Sequence, residues 1–112
     1  MVEKIAIPTI RGEFCPHFGH CDKFAIFNVE NGVITKKEYV DPPAHVPGSH
    51  PQFLKSIGCN VVIVGGMGMK AQEILQQNGI KTIIGVEPQP LPKVMEQYLS
   101  GVLHSGSNSC SH

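Results

Sequence analysis

The chain has 112 residues, 41% hydrophobic and 16% charged, with nine basic and nine acidic side chains. That length and balance suit one globular domain with a real core. A formal net charge of zero gives no electrostatic reason to expect nucleic acid or an anionic membrane as a partner. No apolar run approaches the roughly 18–20 residues of a membrane-spanning helix. Met1-Val2-Glu3-Lys4 leads straight into a strand and carries no signal-peptide pattern, so the expected location is cytoplasmic. In that compartment four cysteines suggest thiols or metal ligands rather than disulfides.

Lys4-Ile5-Ala6-Ile7 reads as a buried strand ended by Pro8. The next segment, Phe14-Cys15-Pro16-His17-Phe18-Gly19-His20-Cys21-Asp22, concentrates two cysteines and two histidines. Thiolate and imidazole are the donors that soft and borderline metals prefer. Pro16 and Gly19 break regular structure, and Phe14, Phe18 and Phe24 offer apolar anchors, so an ordered irregular loop is expected. The order C-x-H-x2-H-C matches no common structural zinc motif, and four donors this close cannot easily wrap one ion. A subset of Cys15, His17, His20 and Cys21 completed by ligands from elsewhere is the metal reading. A loop with small buried thiols and a capping histidine is the plain alternative.

Lys23 to Val29 is a second strand, and Asn31-Gly32 is the strongest short-range hairpin signal, leading into a third strand from Val33 to Val40. The lysines of that third strand suit a sheet edge. Asp41 to Gly48 is a proline-rich connection that places His45 in a loop. Ser49 is the expected N-cap of a short helix ending at Gly58. His45 and His50 each read as surface or capping residues, and Cys59 as buried and inert. Asn60 to Val64 is a fully apolar fourth strand, of the type found inside parallel sheets. Gly65-Gly66-Met67-Gly68 turns into a second helix ending at Gly79, and Ile80 to Val86 is a fifth strand. Leu91, Val94, Met95, Tyr98, Leu99 and Val102 recur at helical spacing, with Gly101 as the expected C-cap. The tail from His104 to His112 is flexible by composition and carries Cys110 and His112, a second pair of metal-type donors.

The pattern predicts an α/β fold in which a mixed five-stranded sheet, order 3-2-1-4-5 with strand 2 antiparallel, packs against about three helices. That arrangement is ribonuclease H-like. Residues 1–103 form the single domain and 104–112 the tail. In this topology the cysteine/histidine loop and the glycine turn leave the same end of the sheet, at the point where strand order reverses and open α/β sheets bind ligands. Gly65, Gly66 and Gly68 could offer backbone N–H groups to an anion or an anionic cluster, although the turn is neither a P-loop nor a full dinucleotide fingerprint. Nuclease chemistry is excluded, because the first and fourth strands lack the carboxylates that hold Mg²⁺. No Ser/His/Asp arrangement is visible.

His17-Phe18-Gly19 before a strand, the Val29-Glu30-Asn31-Gly32 hairpin, the histidine-bearing loop and the run from Gly58 through Gly68 together resemble the dinitrogenase iron–molybdenum cofactor biosynthesis family, the small domain of NifX- and NafY-type proteins also found in NifB. The resemblance runs from Lys4 to about Leu103. It implies a ribonuclease H-like fold, no catalysis, and binding or carriage of an iron–sulfur or iron–molybdenum-type cluster, with a cluster donor or acceptor protein as partner. The family's histidine falls on His17. Cys15 and Cys21 flank the motif here, and Cys110 and His112 end the tail, which enriches thiolate and suits iron–sulfur ligation. The expected site is Cys15, His17, His20 and Cys21, with His45 or the tail closing the shell. The competing classes are a zinc- or redox-sensing module on the same loop and a small-anion site at the glycine turn.

Overall fold

The computed structural model describes residues 2–44, 46, 48–103 and 105–106. Six strands and three α-helices form an α/β fold: β1 (Val2–Ile10), β2 (Glu13–Phe14), β3 (Lys23–Glu30), β4 (Val33–Val40), α1 (Ser49–Ser56), β5 (Val61–Ile63), α2 (Met69–Gln77), β6 (Lys81–Ile83) and α3 (Leu91–Leu99). The main path of the mixed sheet is β4-β3-β1-β5-β6, and β2 pairs with β1 off that path. β3 runs antiparallel to both β1 and β4, while β1, β5 and β6 are parallel. The short β2 makes one strand more than the sequence reading expected.

Two tight hairpins account for the antiparallel half. Asn31 and Gly32 both have positive φ, 51° and 81°, the conformation that a two-residue turn of matching twist demands. Arg11 and Gly12 do the same at 53° and 81°, joining β1 to β2. Arginine has no short polar side chain to favour that conformation, so this second hairpin was not foreseen. Its register, Thr9 to Phe14 and Ile10 to Glu13, leaves just two residues in the turn. The Arg11 amide also donates to Asp22 Oδ2 at 2.9 Å, tying the turn to the far end of the cysteine/histidine loop.

The parallel half is punctuated by one recurring device. Each helix ends in a glycine of positive φ, Gly58, Gly79 or Gly101, followed by a paired set of backbone bonds back into the last turn. For α1 these are Gly58 N–H to Lys55 and Cys59 N–H to Leu54. Such an ending satisfies two stranded carbonyls and turns the chain sharply. The residues just past the first two glycines, Cys59 and Ile80, are 5% and 4% exposed, so the turn drops the chain directly into the core before β5 and β6. The first helix begins one residue earlier than expected: Gly48 takes the cap position, and the Ser49 hydroxyl accepts the Val46 amide instead.

The sheet separates two apolar layers. On one face Ile5, Ile7, Phe14, Phe27, Val61 and Ile63 pack under Leu91, Val94 and Met95 of α3. On the other, Ala6, Phe18, Phe24, Val62 and Val64 pack against Leu54 of α1, Leu75 of α2 and Met67. The alternation along β1 and β5 assigns successive residues to opposite layers. Phe14 and Phe18 belong to different layers, so the loop between them crosses the end of the sheet.

Candidate cluster-binding site

β1 and β5 pair only through Ile5 with Val61 and Ala6 with Val62. Beyond Ala6 the two strands part, and the chain fills the gap with its own loop. On one side Cys15 N–H donates to Pro8 O at 2.9 Å. On the other, Gly66 N–H donates to Pro16 O at 2.6 Å and Phe18 N–H to Gly66 O at 3.0 Å, a parallel bridge between His17 and Gly66. The loop closes where Asp22 N–H donates to Thr9 O at 3.0 Å. The crevice at which open α/β sheets hold ligands is therefore occupied by Cys15 to Phe18. Anything the protein binds here must sit on the loop's outer side.

This insertion explains the glycine turn. A Cβ on Gly65 would lie 2.8 Å from Pro16 O and 3.1 Å from Pro16 Cα, both backbone atoms. Gly65 O in turn accepts the Gly85 amide at 2.8 Å. Glycine is needed here for close approach of two chain segments. Because Gly66 N–H is spent on Pro16, the anion cradle expected from Gly65, Gly66 and Gly68 loses its middle donor. Gly68 caps α2 with ordinary extended backbone, and its carbonyl accepts the Gln72 amide.

A short 3₁₀ turn, Phe18–His20, carries His20, and His17 sits at its N-cap position. Phe18 anchors it: its ring packs 5.7 Å from Phe24 and 6.1 Å from His50, centroid to centroid. His50 was expected at the surface or as a cap. It is 3% exposed, set edge-on to Phe24 at 5.6 Å, with Nε2 3.3 Å from Pro43 O. It serves as a core spacer between α1 and the loop. His17 and His20 stand at the rim with ring centroids 5.7 Å apart; His17 is half-buried and His20 exposed.

The two loop cysteines differ. Cys15 is 2% exposed and its thiol donates to His17 O at 3.2 Å, so it holds the loop's own shape. Burial pushes its pKa up, against the opposing effect of that hydrogen bond, with Asp22 adding to the rise. Cys21 is half-buried, and burial first, then the neighbouring Cys15, pushes its thiol up to about 12. Both are protonated thiols at neutral pH, so a metal gaining either must displace a proton. Among the described residues no three of His, Cys, Asp and Glu converge on one point that a metal ion could occupy. The expected donors are thus a rim of two imidazoles and a half-buried thiol, with Cys15 set beneath them. His45, Cys110 and His112, the expected closing ligands, lie outside the described residues.

One contact bears on the tail. Ile84 N–H donates to the Ser105 hydroxyl at 3.1 Å, and Gly106 N–H donates to Ile84 O at 2.6 Å. The chain after α3 therefore returns to the same end of the sheet as the loop. Pro16, Gly65, Gly85 and Gly106 line up across it as successive neighbours.

A sequence profile described as dinitrogenase iron-molybdenum cofactor matches residues 1–101. Over 82 residues the chain is 37% identical to the protein MJ0580 of Methanocaldococcus jannaschii, spanning 69% of this chain and 70% of that one. The crystal structure of PH0822 superposes with a TM-score of 0.83 at 29% identity, covering 92% of this chain and 96% of the other. The apo form of the orange protein from Desulfovibrio gigas superposes with a TM-score of 0.76 at 25% identity, covering 95% of this chain and 94% of the other.

Proposed function

The chain belongs to the dinitrogenase iron–molybdenum cofactor family, and from that premise we propose that it binds and carries an iron–sulfur or iron–molybdenum-type cluster as cargo and catalyses no reaction. The observation that carries this reading is the wedge between β1 and β5. The sheet's ligand-binding crevice is filled by a segment that holds His17 and His20 at its rim and Cys21 beside them. Soft and borderline donors presented on a braced loop suit a preformed cluster that must be taken up and released. A closed four-ligand cage suits a permanent metal. The segments Ile5-Ala6-Ile7 and Val61-Val62-Ile63 bring no carboxylate to this end, in keeping with a non-catalytic version of a ribonuclease H-like fold. The setting we assign is cytoplasmic, with a cluster donor or acceptor protein as partner.

His17, His20 and Cys21 are the first contacts in this reading, and Cys15 joins only if the loop opens. We assign the closing donors to Cys110 and His112 of the tail. Three strand spacings of about 4.8 Å separate Gly106 from Pro16, roughly 14 Å. At about 3.4 Å per residue, the four residues from Gly106 reach Cys110 over roughly 14 Å and His112 lies within about 20 Å, so both donors can meet the loop.

The deciding experiment is anaerobic purification followed by reconstitution with iron and sulfide, read by visible absorption and metal content. Charge-transfer bands are expected in the parent, and are expected to be lost in His17→Ala/His20→Ala and weakened in the protein truncated after Leu103. Cluster content in Cys15→Ser/Cys21→Ser equal to the parent would remove the loop thiolates from the site. A spectrum without visible bands, with zinc retained instead, would overturn the cluster reading.

A further inference from the structure

A cavity of about 510 Å³ opens on the α3 side of the sheet, away from the histidine rim. Its walls are the Arg11-Gly12 hairpin with Glu13 and Phe14, the outer half of β4 with Lys37 and Tyr39, and the segment from Pro88 to Pro92 that starts α3. The volume is in the range of small-molecule sites, which run to roughly 300–1,000 Å³. Three features fix its chemistry.

The cavity holds a positive charge that is already positioned. Lys37 Nζ lies 5.3 Å from the centroid of Tyr39 and 5.6 Å from that of Phe27. Two ring faces therefore steer the ammonium. No carboxylate pairs with it among the described residues; the neighbouring Lys36 pairs with Glu38 instead. The cavity also exposes an aromatic surface. Tyr39 is 42% exposed on the edge strand β4, and Phe14 closes the bottom. Finally, the far wall is stiff. Pro88, Pro90 and Pro92 fix three backbone φ angles, and the side-chain amides of Gln89 and Gln97 clasp each other at 3.2 and 3.3 Å. A stiff wall lowers the ordering cost of binding.

We propose that this cavity is a second binding site, for a small organic anion with a flat apolar body. The anionic group meets Lys37 and the body lies between Tyr39 and the proline wall. Glu13, on the hairpin rim, opposes negative charge and limits the ligand to an anion whose charge sits at the Lys37 end. The site is independent of the cargo reading, because it uses none of the loop's donors. It shares only the β1–β2 hairpin with the loop, which continues from Phe14 into Cys15.

The probe is anilinonaphthalene sulfonate, an aromatic monoanion whose fluorescence rises on binding, titrated into the native protein. Saturable one-to-one binding that weakens with salt is expected. Lys37→Gln should weaken it about threefold, the size of a solvent-exposed charge contact. Glu13→Gln should tighten it by a similar factor. Tyr39→Ala should weaken it about fivefold through the lost ring contact. Amide shifts should map to Gly12 and Gln89 and leave Gly66 unmoved. All three substituted side chains lie at the surface, and unchanged amide spectra elsewhere verify the fold. Binding indifferent to both charge substitutions would overturn the anion assignment. Shifts centred on Gly66, or no saturable binding, would overturn the site.

Discussion

Gly65 and Pro16 touch backbone to backbone, so closely that a single methyl group on Gly65 would stand 2.8 Å from the Pro16 carbonyl oxygen. The donor loop depends on that contact, because Pro16 O also accepts Gly66 N–H.

Gly65→Ala is therefore expected to destabilise the fold by about 2 kcal/mol, the usual cost of forcing one methyl group into packed backbone. The displacement should show as amide shifts at His17 and Phe18. Gly68→Ala is the internal control. Its Cβ would meet nothing within 4 Å and its φ is −65°, so chemical denaturation should move it by only a few tenths of a kcal/mol. Equal losses at the two glycines would show that the turn needs glycine for its own conformation and not for the loop.

Truncation after Leu103 should release Ile84 without unfolding the domain. Among the described residues the Ile84 amide donates to the Ser105 hydroxyl, so its hydrogen exchange should accelerate by an order of magnitude or more. Val64, whose amide donates to Ile83 O at 2.9 Å, should exchange as before. Unchanged exchange at Ile84 would mean that residues 105 and 106 do not brace β6 in solution.

Alkylation of Cys21 should be slow at neutral pH. With its thiol pushed up to about 12, the reactive thiolate is scarce, and the rate should rise roughly tenfold per pH unit through pH 9 to 11. Mass spectrometry after timed iodoacetamide treatment measures this site by site. A rate that levels off near pH 9 would show an ordinary exposed thiol.

Tyr98 sets an alkaline limit. Its hydroxyl donates to Glu3 Oε2 at 2.9 Å, tying α3 to the first strand across 95 residues of sequence. Burial, then the bond to Glu3, raises its pKa from 10.0 to about 12. The protonated form is the one the fold favours, so this contribution is complete below about pH 10 and is lost as pH rises toward 12. Tyr98→Phe should cost about 1 kcal/mol at neutral pH and flatten the stability curve over that alkaline window. Denaturation midpoints at pH 8, 10 and 11.5 for the two proteins test the difference.

The features legible in the sequence were those set by near neighbours. Asn31-Gly32 announces its hairpin because both residues tolerate positive φ, and Val61 to Val64 announces a buried strand because no polar residue interrupts it. Arg11-Gly12 forms the same turn without that signature. What could not be read was set by distant partners. Gly65 needs to be glycine because of Pro16, 49 positions earlier, and spacing alone cannot show that. Cys15 and Cys21 look equivalent as donors in a motif, yet one is sealed under the loop and the other faces its edge. His50 resembles any histidine beside a proline until Phe18 and Phe24 close over it.

The row of contacts from Pro16 through Gly65 and Gly85 to Gly106 runs across the strands, joining points spread over most of the polypeptide. Such contacts form late, since each must wait for the intervening chain to close. During synthesis the cysteine/histidine segment leaves the ribosome well before Gly66, which pairs with Pro16 and Phe18 in the finished fold. The histidine pair is therefore set in place only once Gly66 can join it. A nascent chain that ends before β5 offers scattered donors and no platform.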